Sequence, residues 1–350
     1  MSPHATAAPR RPFPNGVYCP LITPFLENEE LDIPAWETQV LRLAKAGMGL
    51  VLLGTNGEAS HLSDEERVTL ISSARKTLDQ NGFPDLALLV GTGAGSAHQS
   101  IKLAVQAKEA GADYSILIAP GYFAFAMGKN RGALKDFFTE VMDKSPIPVM
   151  IYNFPGAASG IDLDSDILEE LSEHPNCFGA KVGSHTYSSK EFRTNFAQQL
   201  TCAGIGKGHR LAMYTQSEAY LARHSPFQVL PGFSDYLLPA LVSRQTGCIT
   251  GTGNCIPKTI VKLYKTATAA LASGDPKLMQ EALKLQDIVS TADWCIVKAG
   301  IGGTKYCLDL YVQKGLGGAP RSPLPKADSA CEAMVAKGMK ASMAYENSLP

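Results

Sequence analysis

The chain has 350 residues, of which 45% are hydrophobic and 19% charged, the balance of a globular protein with a large core. Its formal net charge of −1 gives no global field toward nucleic acid or an anionic membrane, so no nucleic-acid partner is expected, and no apolar run approaches the roughly 20 residues that span a bilayer. The eight cysteines are scattered and form no C-x-x-C pair, which points to a reducing compartment and away from structural zinc.

Residues 1–15 are rich in Pro, Ala and Arg, lack acids and show no amphipathic period. They read as a disordered leader, with a cytoplasmic location expected and a mitochondrial one left open. From there, short apolar runs alternate with helix-like periodic stretches. The strands expected are Val17–Ile22, Gly49–Leu53, Ala87–Val90, Tyr114–Ile118, Val149–Tyr152, Phe178–Lys181, Gln228–Leu230 and Cys248–Thr250. Helices are expected over Ile33–Ala46, Ser63–Gln80, Ala97–Ala110, Lys129–Asp143, Asp164–Glu173 and Ser234–Gln245. Ser63 followed by Glu66 is a capping box, and Asp64, Glu65 and Glu66 suit a helix N-terminus.

Eight strands with intervening helices indicate an α/β fold closed as a (β/α)8 TIM barrel over residues 16–257. The alternative, an open doubly wound sheet, lacks its fingerprint: no G-x-G-x-x-G follows the first strand. A C-terminal helical extension follows over residues 258–350. It has helices near Lys258–Ser273 and Lys277–Val289, a Gly-rich break at Gly300–Gly303 and a helix through Lys305–Lys314. Pro320–Pro325 ends the ordered core, before Ala/Met-rich helix.

In such a barrel the chemistry sits at the C-terminal ends of the strands. Those ends carry Gly54-Thr55-Asn56-Gly57-Glu58, Pro120-Gly121-Tyr122, Tyr152 and Lys181. A lysine closing an apolar strand either snorkels to solvent or, stripped of hydration, serves as an amine nucleophile toward ketones. Tyr152 is either a proton-transfer group or a strand-end ring with a hydrogen-bonded tip. Thr55 and Asn56 lie in a Gly-flanked turn whose N–H groups can hold a carboxylate; alternatively Gly54 and Gly57 only permit the turn. His61 and His98 have no partners at metal-ligand spacing.

Taken together these segments resemble the dihydrodipicolinate synthase / N-acetylneuraminate lyase family of class I aldolases. The motifs are Gly54-Thr-Asn-Gly-Glu58 with Leu62-Ser63 and Glu66-Arg67, then Tyr152-Asn-x-Pro155…Gly160-x-x-Leu163, then Gly179-Ala-Lys181. The resemblance covers about residues 15–325. It implies a lyase that joins or releases pyruvate through a Schiff base on Lys181, with no metal or other cofactor. By the same resemblance Tyr152 and Tyr122 move protons, Gly54, Thr55 and Asn56 hold the substrate carboxylate, and Ile249 packs on the pyruvate methyl side. In relatives the second tyrosine reaches into a neighbouring subunit's site, which implies a homodimer or homotetramer here. Glu58 is expected to tie down its loop.

The stretch Pro155-Gly-Ala-Ala-Ser-Gly160 lacks the arginine that dihydrodipicolinate synthases place there for their second substrate. Asn56 and Phe154 resemble instead the 4-hydroxy-2-oxoglutarate and 2-keto-3-deoxy sugar acid aldolase branch, particularly its fungal members. The small side chains of Ala157, Ala158 and Ser159 suit a hydroxylated acceptor. Besides a small 2-oxo acid aldolase, two rivals stand: 4-hydroxy-tetrahydrodipicolinate synthase, and an inactive barrel acting as a binding protein. Residues 182–199 exceed the spacing seen in relatives between the lysine and the seventh strand, and read as an insertion or a retained intron.

Overall fold

The computed structural model describes residues 11–183 and 196–350. Its strands are β1 (Gly16–Pro20), β2 (Gly49–Leu52), β3 (Leu88–Gly91), β4 (Tyr114–Ile118), β5 (Val149–Asn153), β6 (Cys177–Val182), β7 (Gln228–Pro231) and β8 (Gly247–Ile249). All eight belong to one sheet, in the order β7-β6-β5-β4-β3-β2-β1-β8, with helical crossovers between them. Parallel pairing joins β1 to β2 and runs without a break from β3 to β7. That strand order is the topology of a (β/α)8 barrel. Every expected strand is present, with bounds that agree to within two residues.

The chain resolves into two compact units. The first holds Leu89–Gly232 and Pro239–Gly247. Its core is built by Phe137, Phe138, Val149, Ile151, Ala180 and Val229, all buried. Each such large apolar side chain withdrawn from water contributes roughly 1.5–3 kcal/mol. The β5–β6–β7 register sets Tyr152 opposite Lys181 and Lys181 opposite Leu230. Val182 is still strand, opposite Asn153 and Pro231, and Gly183 N donates to Asn153 O at 2.9 Å. Val182, the first residue of the expected insertion, is thus the last residue of β6. Residues 184–195 of the insertion lie outside the described residues, and 196–199 open the helix Phe196–Thr215, which the sequence pattern did not reveal.

The second unit holds Arg11–Leu88, Phe233–Leu238 and Cys248–Pro350. Two residues expected within a disordered leader are held against the fold: Arg11 is buried and the Phe13 ring stacks on Tyr18 at 4.3 Å, while Pro12, Pro14 and Asn15 are exposed. Ser63 caps the helix Asp64–Gln80 through the complete reciprocal capping box with Glu66. Asn254 joins β1 to the turn after β8. Its Nδ2 donates to Pro20 O and Gly251 O, both at 2.9 Å, and its Oδ1 accepts from Ile22 N at 3.2 Å.

The C-terminal helices belong to this second unit. They are Pro257–Ser273, Pro276–Tyr311, Ser329–Gly338 and Lys340–Ser348. The expected break near Gly300–Gly303 is a kink within one long helix, at Gly300, whose φ of 63° suits glycine and few other residues. Glu346, near the C-terminus, accepts from Lys258 N at 3.0 Å and Thr259 N at 2.8 Å. A carboxylate on the N-terminal amides of Pro257–Ser273 is where the helix dipole favours it.

Candidate active site

Lys181 is 7% exposed. Its Nζ stands 4.2 Å from the centroid of the Tyr152 ring, and no carboxylate pairs with it among the described residues. Register makes this contact: parallel β5 and β6 place the two residues side by side at their C-terminal ends. The Tyr152 ring is stacked at 5.7 Å on Phe154, two residues on and on the same face of the chain. After β7, a methyl group at Gly232 would make ordinary contact with Lys181 Cε at 3.5 Å but crowd Gly183 Cα at 3.1 Å, so glycine there lets the two backbones approach.

Asn153 explains the second motif. Its Nδ2 donates to Leu163 O at 3.1 Å and to Asp162 Oδ1 at 2.8 Å, while its Oδ1 accepts from Leu163 N at 3.0 Å. The loop between Pro155 and Leu163 is thereby closed on the end of β5. Within it Ser159 has a φ of 52° and is exposed, as is Ala157, whereas Ala158 is buried in the core. Ala158 is therefore a packing residue and not the acceptor contact expected of it. Tyr122, after β4, is 84% exposed, with its ring edge-on to Phe123 at 5.0 Å and Phe125 beyond.

The first motif lies in the second unit. Glu58 N donates to Thr55 O at 3.1 Å and Ala59 N to Gly54 O at 3.2 Å, which closes the turn. The amides of Thr55 and Asn56 have no acceptor among the described residues, so they are open to an anion. Left-handed Leu53 (φ 56°) and Glu58 (φ 52°) bracket the turn. A non-glycine residue in that region costs on the order of 1–3 kcal/mol, the kind of strain that clusters at functional loops. Asn56 rests against Gly251, after β8, where a methyl would come within 2.5 Å of its Nδ2. Ile249 on β8 is fully buried.

Glu58 does what was expected of it. Its Oε1 is 2.5 Å from Lys305 Nζ, with both side chains fully buried, and its Oε2 accepts from Arg321 N at 2.9 Å. Burial pushes the Lys305 ammonium down and the Glu58 charge opposes that shift. Arg321 extends the clasp by donating to His61 O at 2.8 Å and to Glu66. Its hydrogen bond holds the Glu66 carboxyl below its ordinary range. Sequence reasoning missed Lys305 and Arg321; the signal was a lysine on the apolar side of a helix turn. His98 takes no part in the geometry described. No group of three or more His, Cys, Asp or Glu is placed to hold a metal among the described residues.

A buried strand-end lysine beside a tyrosine in a (β/α)8 fold is an arrangement able to form a Schiff base with a carbonyl substrate. The family model of the dihydrodipicolinate synthetase family matches residues 13–340. An L-threo-3-deoxy-hexylosonate aldolase of Aspergillus niger is 36% identical over 348 residues, covering 98% of this chain and 99% of the relative. A protein of Emericella nidulans named "Probable 4-hydroxy-2-oxoglutarate aldolase, mitochondrial" is 36% identical over 341 residues, covering 97% and 98%. The crystal structure of a dihydrodipicolinate synthase family protein from Coccidioides immitis superposes with a TM-score of 0.77 at 33% identity, covering 98% of this chain and 99% of that one.

The chain belongs to the dihydrodipicolinate synthetase family. Within it, it is an enzyme of the pyruvate-dependent class I aldolase kind, a carbon–carbon lyase.

Proposed function

We propose that the enzyme reversibly cleaves a 4-hydroxy-2-oxo acid, of the 4-hydroxy-2-oxoglutarate or 2-keto-3-deoxy sugar acid type, to pyruvate and an aldehyde or oxo acid. The observation that carries this reading is Lys181: a buried amine that faces an aromatic ring and has no carboxylate partner among the described residues. Lysines that serve structure when buried are paired, as Lys305 is with Glu58.

Lys181 Nζ attacks the C2 carbonyl, and loss of water leaves an iminium. The C4 hydroxyl then gives up its proton, the C3–C4 bond breaks, and its electron pair flows into the iminium to form an enamine. Protonation at C3 and hydrolysis release pyruvate and free Lys181. Tyr152 is the group that moves these protons. The open amides of Thr55 and Asn56, in the turn begun at Gly54, are the cradle for the substrate carboxylate, and Ile249 is the apolar wall for the pyruvate methyl. The iminium acts as the electron sink, so the reaction as read needs no metal or other cofactor.

Tyr122 is read as a proton relay that works in the site of a second copy, and a homodimer or homotetramer follows from that reading. Its support is the exposed aromatic run Tyr122, Phe123 and Phe125, too apolar to be left to solvent without reason. All seven cysteines whose side chains are described are free thiols, which favours a reducing compartment. We assign the cytosol; import of a reporter fused to residues 1–15 into mitochondria would overturn that.

The test is borohydride reduction in the presence of pyruvate, read by peptide mass spectrometry, on this chain and on Lys181→Ala. A pyruvyl adduct on Lys181 that is absent from the variant supports the reading, and its absence from the folded wild type overturns it. Pyruvate release from the two acid types, followed by a coupled dehydrogenase, then ranks the substrates.

A further inference from the structure

Glu58 ends the turn that carries Thr55 and Asn56, and it does so in the left-handed region, at φ 52°. A residue other than glycine stays there only where its surroundings fix it. Its backbone is part of the turn: Glu58 N donates to Thr55 O, and Ala59 N, the next amide, donates to Gly54 O. The direction of the Thr55 and Asn56 amides therefore depends on whatever holds Glu58 in that conformation.

Close in sequence, Glu58 has His61, whose Nδ1 is 3.3 Å from Oε2. The stronger contacts come from the far end of the chain, within the same compact unit. Glu58 Oε1 is 2.5 Å from Lys305 Nζ, and Oε2 accepts from Arg321 N at 2.9 Å. Lys305 also donates to Ala319 O at 3.1 Å. Gly317 lets this segment close down on the long helix, since a methyl there would collide with the Lys305 carbonyl oxygen. The Arg321 guanidinium then pins its own backbone amide in place. Its Nη1 donates to His61 O at 2.8 Å and to Glu66 Oε2 at 2.9 Å, and its Nε donates to Glu29 O at 3.0 Å. The guanidinium also lies over the Phe25 ring, 4.3 Å from the ring centre. Two cations, Lys305 and Arg321, meet two carboxylates, Glu58 and Glu66, so what the clasp supplies to the turn is geometry more than charge.

We propose that Arg321 is a positioning residue for the substrate carboxylate: acting with Lys305 through Glu58, it holds the Thr55–Asn56 turn in the strained form whose amides are open to an anion. This rests on the reading of those amides as the carboxylate cradle, and adds what keeps the cradle in shape. Without the guanidinium the Arg321 amide is no longer pinned on Glu58. Glu58 then relaxes toward the right-handed region, its N–H turns away from Thr55 O, and the two open amides lose their common direction. An amide pair that must be ordered at the moment of binding holds an anion more weakly than one already set. The loss falls on the carboxylate and not on the ketone, so the C-terminal extension tunes the affinity for 2-oxo acids without entering the Schiff-base chemistry.

The test is borohydride trapping on Lys181 as a function of ketone concentration, on wild type, Arg321→Ala and Arg321→Lys. Two ketones are compared: pyruvate, and acetone, which lacks the carboxylate. Arg321→Lys keeps the charge but cannot serve Glu29 O, His61 O and Glu66 at once. Both variants are expected to need on the order of ten-fold more pyruvate for half-maximal trapping, with the acetone dependence of wild type. An equal rise for both ketones shows general damage to the site and overturns the proposal. So does Arg321→Lys with a wild-type pyruvate dependence, which would mean that charge and not geometry acts on the carboxylate. If Arg321→Ala does not fold, Arg321→Lys decides alone. If wild type traps neither ketone on Lys181, the Schiff-base reading itself has failed, and the positioning role falls with it.

Discussion

Lys181 Nζ stands 4.2 Å from the centre of the Tyr152 ring, and the sheet register alone puts the two residues side by side. The ring face stabilises the ammonium without neutralising it, as a carboxylate would. The phenol at the ring's edge is left for proton transfer. The two functions separate in Tyr152→Phe, which keeps the face and removes the hydroxyl. The variant is expected to form the borohydride-trapped pyruvate adduct but to lose roughly 10²–10⁴-fold in carbon–carbon turnover. Turnover within a few-fold of wild type would remove Tyr152 from acid–base chemistry.

Lys181 and Lys305 are both buried, yet one has no counter-ion among the described residues and the other is 2.5 Å from Glu58. Methionine at each position keeps the stem and drops the charge. Lys181→Met removes a buried amine that has no carboxylate partner among the described residues and is expected to be inactive but more stable than wild type, by about 0.5–2 kcal/mol. Lys305→Met strands the Glu58 carboxylate and is expected to cost roughly 3–5 kcal/mol. Denaturant unfolding of the two variants reads both effects. Destabilisation by Lys181→Met would mean that the amine supports the fold and does not tax it.

Asn153 satisfies both backbone groups of Leu163 and so fixes the loop that follows Tyr152. Its removal leaves the buried N–H of Leu163 without its acceptor, at about 1–3 kcal/mol, and leaves the Leu163 carbonyl with only the long contact from Lys207 Nζ at 3.4 Å. Asn153→Ala is therefore expected to lower thermal stability and to raise the KM for the acceptor more than it alters pyruvate trapping. Equal losses in both steps would show that the loop serves Lys181 itself and not the second substrate.

The strands were legible because a parallel sheet buried on both faces needs near-continuous apolar runs, and each of the eight runs is bounded by turn residues. The placement of Lys181 and Tyr152 was legible for the opposite reason, as polar groups where an apolar pattern ends. The helix Phe196–Thr215 escaped because its residues, Phe196-Ala-Gln-Gln-Leu-Thr-Cys-Ala-Gly, mix small and polar groups without a clear helical stripe, and two more glycines follow. The expected helix Ser234–Gln245 shrank to Leu237–Val242 because Gln286, Ser290 and Asp293 hold its first residues in another conformation. Those side chains lie some fifty residues further along the chain, and no local pattern announces such a partner. The Glu58–Lys305 pair was hidden in the same way.

The exposed aromatic run carries the last expectation. Tyr122 and Phe125 are 84% and 85% exposed, and Phe123 lies between them with half of its surface free. Aromatic side chains are enriched at the cores of protein interfaces, and each buries about 150–250 Å² when covered. If a second copy covers this run, a charge placed there must break the assembly, since burying an unpaired carboxylate costs several kcal/mol. Phe125→Glu is expected to elute as a monomer where wild type elutes as a dimer or tetramer, with an unchanged circular dichroism spectrum. Turnover should fall with assembly, because Tyr122 would no longer reach a neighbouring site, while the pyruvate adduct on Lys181 still forms. A Phe125→Glu protein with the wild-type mass in light scattering would separate the aromatic run from assembly and leave Tyr122 without a role in a second site.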